Sequence, residues 1–245
     1  MLAALPEIFI LSQVASVAGI KFSELAAKQD FVQTNVLLIN ILKTLFVIII
    51  PIALIMVIAN KEIIQIAFER GNFQKNSITT TAFCFFYFSL LLPSKIFDVL
   101  FTRLFTSFQL YGISTLFAVI AHSAITLLLY FLTTIFQLQG YFITLLIGYY
   151  LVMPFTCLLI VKFKMKSINI GIIIKDTILL LLSAVAVYFL INYIFGLLYL
   201  HSIPKIFILS ILVIIPYFLL ANWMVDLNYQ KKLFLSALKK NSLHK

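Results

Sequence analysis

Apolar stretches of about twenty residues or more, separated by short polar breaks, recur along this chain. The hydrocarbon core of a bilayer is about 30 Å thick, so roughly twenty helical residues rising about 1.5 Å each are needed to cross it. Runs of that length with so few charges cannot be covered by the rest of a soluble domain. With 63% of its residues hydrophobic and 11% charged, against about 45–50% and 25% in an ordinary soluble domain, the chain is excluded as a water-soluble globule. The runs lack the period-two alternation of barrel strands, and seven Gly and six Pro are too few for a loop-rich β chain. The expected fold is an all-α integral membrane protein.

About seven transmembrane helices are expected, near 2–20, 35–59, 78–102, 112–137, 140–161, 176–200 and 203–224. An odd number places the two ends on opposite sides. Cytoplasmic loops retain Lys and Arg, and the basic residues here are unevenly shared. One side collects Lys21, Lys28, Lys43, Arg103, Lys162, Lys164, Lys166, Lys175, Lys231, Lys232, Lys239, Lys240 and Lys245, 13 of 18. The other holds Lys61, Arg70, Lys75 and Lys205, and Lys95 falls within a span. The C-terminus is therefore expected in the cytoplasm. The net charge of +10 follows from topology and attraction to anionic lipid, so membrane lipids, and not nucleic acid, are the expected partners.

The loop 60–77 is the longest on the outer side, and 61–68 reads as a short helix with an apolar face of Ile63, Ile66 and Ala67, stopped at Gly71. The tail 229–245 reads as a basic amphipathic or frayed end. Cys84 and Cys157 lie in different spans and read as small core hydrophobes. Residues 8–20 lack the basic flank of a cleaved signal.

Ionisable groups inside a membrane are costly and mark candidate sites. Lys95 and Asp98, just after Pro93, share a helix face at i, i+3 and are expected to pair, either as a cation facing a bundle cavity or as a neutral packing pair. Pro93 permits a kink. Arg103 closes the same helix, as a phosphate contact or a snorkelling anchor. His122 reads as a hydrogen-bonded packing residue, with a proton relay as the alternative, and Thr126, Thr133, Thr134, Thr144 and Ser183 as interhelical hydrogen-bonding groups. His122, His201 and His244 have no ligand spacing, and there is no nucleotide loop or nucleophile elbow. An enzyme, a metal site and a bound cofactor are not expected.

The stretch Phe68-Glu69-Arg70-Gly71-Asn72-Phe73 resembles the F-E-R-G-x-F element of MurJ/MviN lipid II flippases. Phe22 to Asp30 is similar to the family's L-S-x-x-A-A-x-G-D segment, Pro51 falls mid-helix as in its ninth helix, and Leu92-Pro93 through Arg103-Leu104-Phe105 resembles its tenth. Where the family has a basic residue after the Pro, this chain has Val99, with Lys95 and Asp98 nearby. The resemblance implies helices eight to fourteen of a fourteen-helix flippase: a C-terminal-lobe bundle at 1–170, then two further helices and a basic tail at 171–245. It implies translocation of a lipid-linked peptidoglycan precursor across the bacterial cytoplasmic membrane, with Lys95, Asp98 and Arg103 as candidate substrate contacts. Family members are about twice this length, so it also implies a partial or truncated flippase partnered by a separate N-terminal lobe or a second copy. A flippase for another undecaprenyl-linked glycan, a non-transporting membrane scaffold and an ion-coupled drug exporter remain as alternatives.

Overall fold

The computed structural model describes residues 2–68, 75–165, 168–197 and 202–225. Among them every regular element is helical: α1 (Ser12–Ala27), α2 (Phe31–Ile58), α3 (Asn60–Phe68), α4 (Lys75–Leu91), α5 (Lys95–Ser107), α6 (Tyr111–Ile147), α7 (Met153–Lys164), α8 (Ile170–Leu197) and α9 (Ser202–Met224). A 3-10 turn at Leu2–Ala4 and a π turn at Glu7–Leu11 precede α1, and a π turn at Gly148–Val152 joins α6 to α7.

Five stretches are long and apolar enough to cross a bilayer by themselves, and the bent pair Ser77–Leu91 and Lys95–Ser107 makes a sixth. One of the five, Tyr111–Lys164, is 54 residues long, which as a straight helix would extend about 80 Å and could not fit one crossing. It folds back instead. Gln137 takes φ 50 and ψ −127, and Gly148 then lies against Ile125, whose Cδ1 would be 2.9 Å from a Cβ added there. The reversal yields two antiparallel limbs, 111–136 and 138–164, each long enough for one crossing, which makes seven candidate crossings among the described residues. Gly140 is demanded by this turn, because a Cβ there would overlap the carbonyl oxygen of Leu132.

Helix α2 is the centre of the bundle, packed against α1, α4, α8 and α9. Leu38, Leu45, Ile49 and Ile50 are buried along it, and Pro51 is accommodated without interrupting the helix. Tyr217 of α9 donates to the carbonyl of Phe46 at 3.4 Å. Phe142 anchors the returning limb to α4, stacking on Tyr87 at 4.5 Å.

Two faces are distinguished by their connections. On one, the ends of α1 and α5 are joined by a Ser23–Ser107 hydrogen bond of 3.1 Å. Phe31 stacks on Phe108 there, and Asn35 Oδ1 accepts from the Asn169 amide at 2.9 Å. Exposed Lys28, Lys162 and Lys164 lie on this basic face. The opposite face carries α3 and the Gln137 turn, with Lys205 at the start of α9 paired to Glu62 at 3.0 Å.

Three expectations need correction. The first helix continues past residue 20 to Ala27, its polar end braced by an exposed Lys21–Glu24 pair. Helix α3 forms, but its buried residue is Ile64, while Ile66 and Ala67 are exposed, because α3 packs on α4 and α9. The hydroxyls of Thr126, Thr133, Thr134 and Thr144 donate to carbonyls of their own helix and not across helices, whereas Ser183, which donates to the Leu180 carbonyl, also meets the Tyr217 hydroxyl of α9 as expected. Glu69, Arg70, Gly71 and Phe73, and the tail beyond Val225, lie outside the described residues.

Candidate functional site around the Pro93 break

The break between α4 and α5 is built by Pro93. Lacking an N–H, it cannot bond to the Ser89 carbonyl, which instead accepts from Leu92 at 3.2 Å. Ser94 N–H, which in an unbroken helix would bond to the Leu90 carbonyl, reaches Leu91 at 3.2 Å, and Ser94 Oγ donates there as well at 2.7 Å. The axis turns by 44°. Leu90 is thus left with an unclaimed carbonyl, which would be costly at membrane depth. The Tyr150 hydroxyl claims it, donating at 2.6 Å. Tyr150 sits in the π turn, a local widening often found at functional sites.

The neighbouring π-turn residue, Tyr149, holds Lys95. The ammonium lies over its ring, 4.1 Å from the centroid, a favourable placement for a cation with few polar partners. Lys95 and Asp98 therefore do not form the expected ion pair; among the described residues the pairs are Lys21–Glu24, Lys43–Asp176 and Lys205–Glu62. Asp98 is half-buried one turn further along α5. Arg103 is exposed at the basic end of α5, its stem close to Gly19, where an added Cβ would meet Arg103 Cδ at 3.6 Å.

Lys95 and Glu7 face one cavity of about 350 Å³, walled by Phe88, Leu92, Tyr141 and Tyr149 among others. The turns Leu2–Ala4 and Glu7–Leu11 close it by packing on α4 and α5. From the Ser23–Ser107 bond, Lys95 is twelve residues along α5 and Glu7 sixteen along the first helix, or about 18 Å and 24 Å along their helices from that level. The cavity thus holds a cation near mid-depth and a carboxylate above it, both half-buried. On the other side of the break a second, almost wholly apolar groove of about 660 Å³ runs between Phe97, Tyr150, Phe155, Leu158, Ile178 and Leu181. A charged pocket and an apolar groove meeting at one hinge suit an amphiphile with a polar head and a hydrocarbon tail.

Sequence reasoning found Pro93 and Lys95 but missed Glu7, Tyr149 and Tyr150, whose roles depend on which helices become neighbours. It also placed Lys43 on the basic face. Lys43 instead pairs with Asp176 at 2.9 Å, with side-chain exposures of 15% and 14%, which leaves 12 of the 13 basic residues assigned to that side. The Asn35–Asn169 bond sets the level, and the pair sits eight and seven residues further on, about 11 Å deeper. It is an ion pair by distance only, since Asp176 Oδ2 has no aligned hydrogen bond.

The model of one protein family, described as lipid II flippase MurJ, matches residues 1–217. No curated protein and no solved structure matches the chain. The helical membrane architecture, the Pro93 break and a family match over most of the 245 residues agree, and the chain belongs to the MurJ family of lipid II flippases.

Proposed function

We propose that this chain forms one wall of a two-bundle flippase that carries lipid II across the bacterial cytoplasmic membrane. The single observation that supports it most is the Lys95 ammonium, held near mid-membrane in a cavity beside a helix break. The anionic diphosphate of the headgroup meets Lys95, with Arg103 further along the same helix as a second cation for it and Asp98, an acceptor, meeting a sugar hydroxyl of the headgroup. The prenyl tail lies in the apolar groove bounded by Phe155 and Ile178. Of the two helices of 171–245, α8 flanks that groove through Ile174, Ile178 and Leu181, beside the bundle of 1–170.

One bundle supplies one wall, and rocking transport needs two facing one cavity. A separate N-terminal lobe or a second copy supplies the other. The basic face is cytoplasmic, because Lys28, Lys162 and Lys164 are on it, and α3 faces outward. A flippase for another undecaprenyl-linked glycan uses the same head and tail chemistry. Binding of lipid II and of undecaprenyl diphosphate to the purified protein, followed by native mass spectrometry, tests the site. Lys95→Gln is expected to weaken both roughly tenfold or more, the scale of one lost charge-assisted contact. Unchanged binding of both ligands would remove Lys95 from the site.

A further inference from the structure

Limb 111–136 differs from α8 and α9 in what it turns outward at mid-depth. Away from their ends, where Lys175, Asn192 and Asn222 are exposed, the outward sides of α8 and α9 are apolar, with Ile178, Leu182 and Phe189 on one and Phe207, Ile211 and Leu219 on the other, as expected where lipid is the neighbour. On limb 111–136, Thr115, Val119, His122 and Thr126 are all exposed. Their i, i+4, i+7, i+11 spacing puts them on one stripe, and His122 is eleven residues from Tyr111 and fourteen from Phe136, near the middle of the crossing. Ser123 is exposed beside them.

Thr126 donates back to the His122 carbonyl at 2.8 Å. Among the described residues, the His122 imidazole and the Thr115 and Ser123 hydroxyls have no hydrogen-bond partner, and no other element lines this face. The buried side of the same limb is a different arc, with Ala121 buried and Ile125 against Gly148. A third arc, with Leu116, Ile120, Leu127 and Phe131, is exposed and apolar. The limb therefore presents separate surfaces: one to the bundle, one suited to lipid and one that is polar.

An imidazole and hydroxyls facing hydrocarbon at mid-depth go unsatisfied, whereas interhelical contacts in membranes are rich in such groups and in small residues. We infer that the stripe Thr115–Val119–His122–Thr126 is the docking face for a transmembrane helix of a polypeptide segment outside residues 1–245. That helix carries a side-chain acceptor, a carboxylate or carboxamide, at the level of His122, and small residues opposite Ala118 and Val119. The O–H groups of Thr115 and Ser123 and the imidazole N–H of His122 are donors with no carboxylate or carboxamide on the same face to receive them, so a side-chain acceptor on the docking helix complements the stripe. The inference rests on the two-bundle reading and gives it an attachment surface.

The test uses the full chain in its native membrane, with a photo-crosslinking phenylalanine analogue placed in turn at Thr115, Val119, His122 and Thr126, and at Ile120 and Phe131 as controls. The stripe positions are expected to link to an apolar membrane peptide containing Asp, Glu, Asn or Gln, and the controls to lipid alone. His122→Leu is expected to lower the link from Val119 roughly threefold or more, the scale of one interhelical polar contact. Lipid adducts at every position, or links to a second copy of this chain, would overturn the assignment. So would labelling of Val119→Cys from the aqueous phase, which would make the stripe a water-lined wall. Loss of the stripe links with intact Lys95-dependent lipid II binding overturns the docking face alone; the reverse outcome overturns the site.

Discussion

Lys43 Nζ and Asp176 Oδ2 lie 2.9 Å apart inside the membrane, across the interface of the central helix α2 and α8. Removing one partner leaves a buried charge uncompensated, which typically costs about 3–5 kcal/mol, whereas replacing both with apolar side chains is close to neutral. Lys43→Met and Asp176→Leu are therefore each expected to lower the unfolding midpoint of the purified protein in micelles, and the double variant to recover most of the loss. Additive losses in the double variant would show that the two charges are not coupled.

Gln29 and Gln109 hold φ 52 and φ 55 at the ends of α1 and α5. Each closes its helix with the same pair of bonds: Gln29 and Asp30 amides to the Ala26 and Leu25 carbonyls, and Gln109 and Leu110 amides to Thr106 and Phe105. This is the Schellman arrangement, in which glycine is preferred because a Cβ is strained in the left-handed region. Gln29→Gly and Gln109→Gly are each expected to raise stability by about 1 kcal/mol. Gly140→Ala is expected to lower it by about 1–3 kcal/mol through overlap with the Leu132 carbonyl. Thermal unfolding of the three variants decides; loss of stability in both glycine variants would contradict the strain assigned to the glutamines.

Much of this fold is legible in the sequence because uninterrupted apolar runs dictate bilayer crossings, and the polar break at Gln137–Gly140 marks the reversal that local geometry then confirms. The break at Pro93 is legible for the same reason, since the missing N–H is a property of one residue. What cannot be read is which helices become neighbours. Lys43 and Asp176 are 133 positions apart, and Lys95 prefers a ring 54 positions away over the carboxylate three positions away. The spacing of Lys95 and Asp98 establishes that they share a face, but burial beside Tyr149 decides where the ammonium rests. Glu7 enters the cavity only because the turns before α1 pack on α4 and α5.

The hinge at Pro93 is separable from the stability of the bundle. Tyr150→Phe leaves the Leu90 carbonyl without its partner and is expected to cost about 1–3 kcal/mol. Pro93→Ala restores an N–H for the Ser89 carbonyl and lets Ser94 reach Leu90 again, so adding it to Tyr150→Phe is expected to recover that loss. The same Pro93→Ala change is expected to slow translocation by straightening the 44° bend. Transport at the original rate in a straightened variant would remove the hinge from the mechanism.

Sidedness follows from the basic face and can be read chemically. With Cys84 and Cys157 replaced by serine, an impermeant thiol reagent applied to intact cells is expected to label Ala67→Cys on α3 and to reach Lys164→Cys only after permeabilisation. The opposite pattern would invert the orientation.

The most direct measurement is rescue of a bacterium depleted of its own lipid II flippase, with membrane expression verified. Residues 1–245 alone are expected not to restore growth, co-expression with an N-terminal MurJ lobe is expected to restore it, and Lys95→Gln is expected to abolish the rescue. Growth restored by residues 1–245 alone, or rescue that survives Lys95→Gln, would contradict the reading of this chain as one wall of a two-bundle flippase with its headgroup site at the Pro93 break.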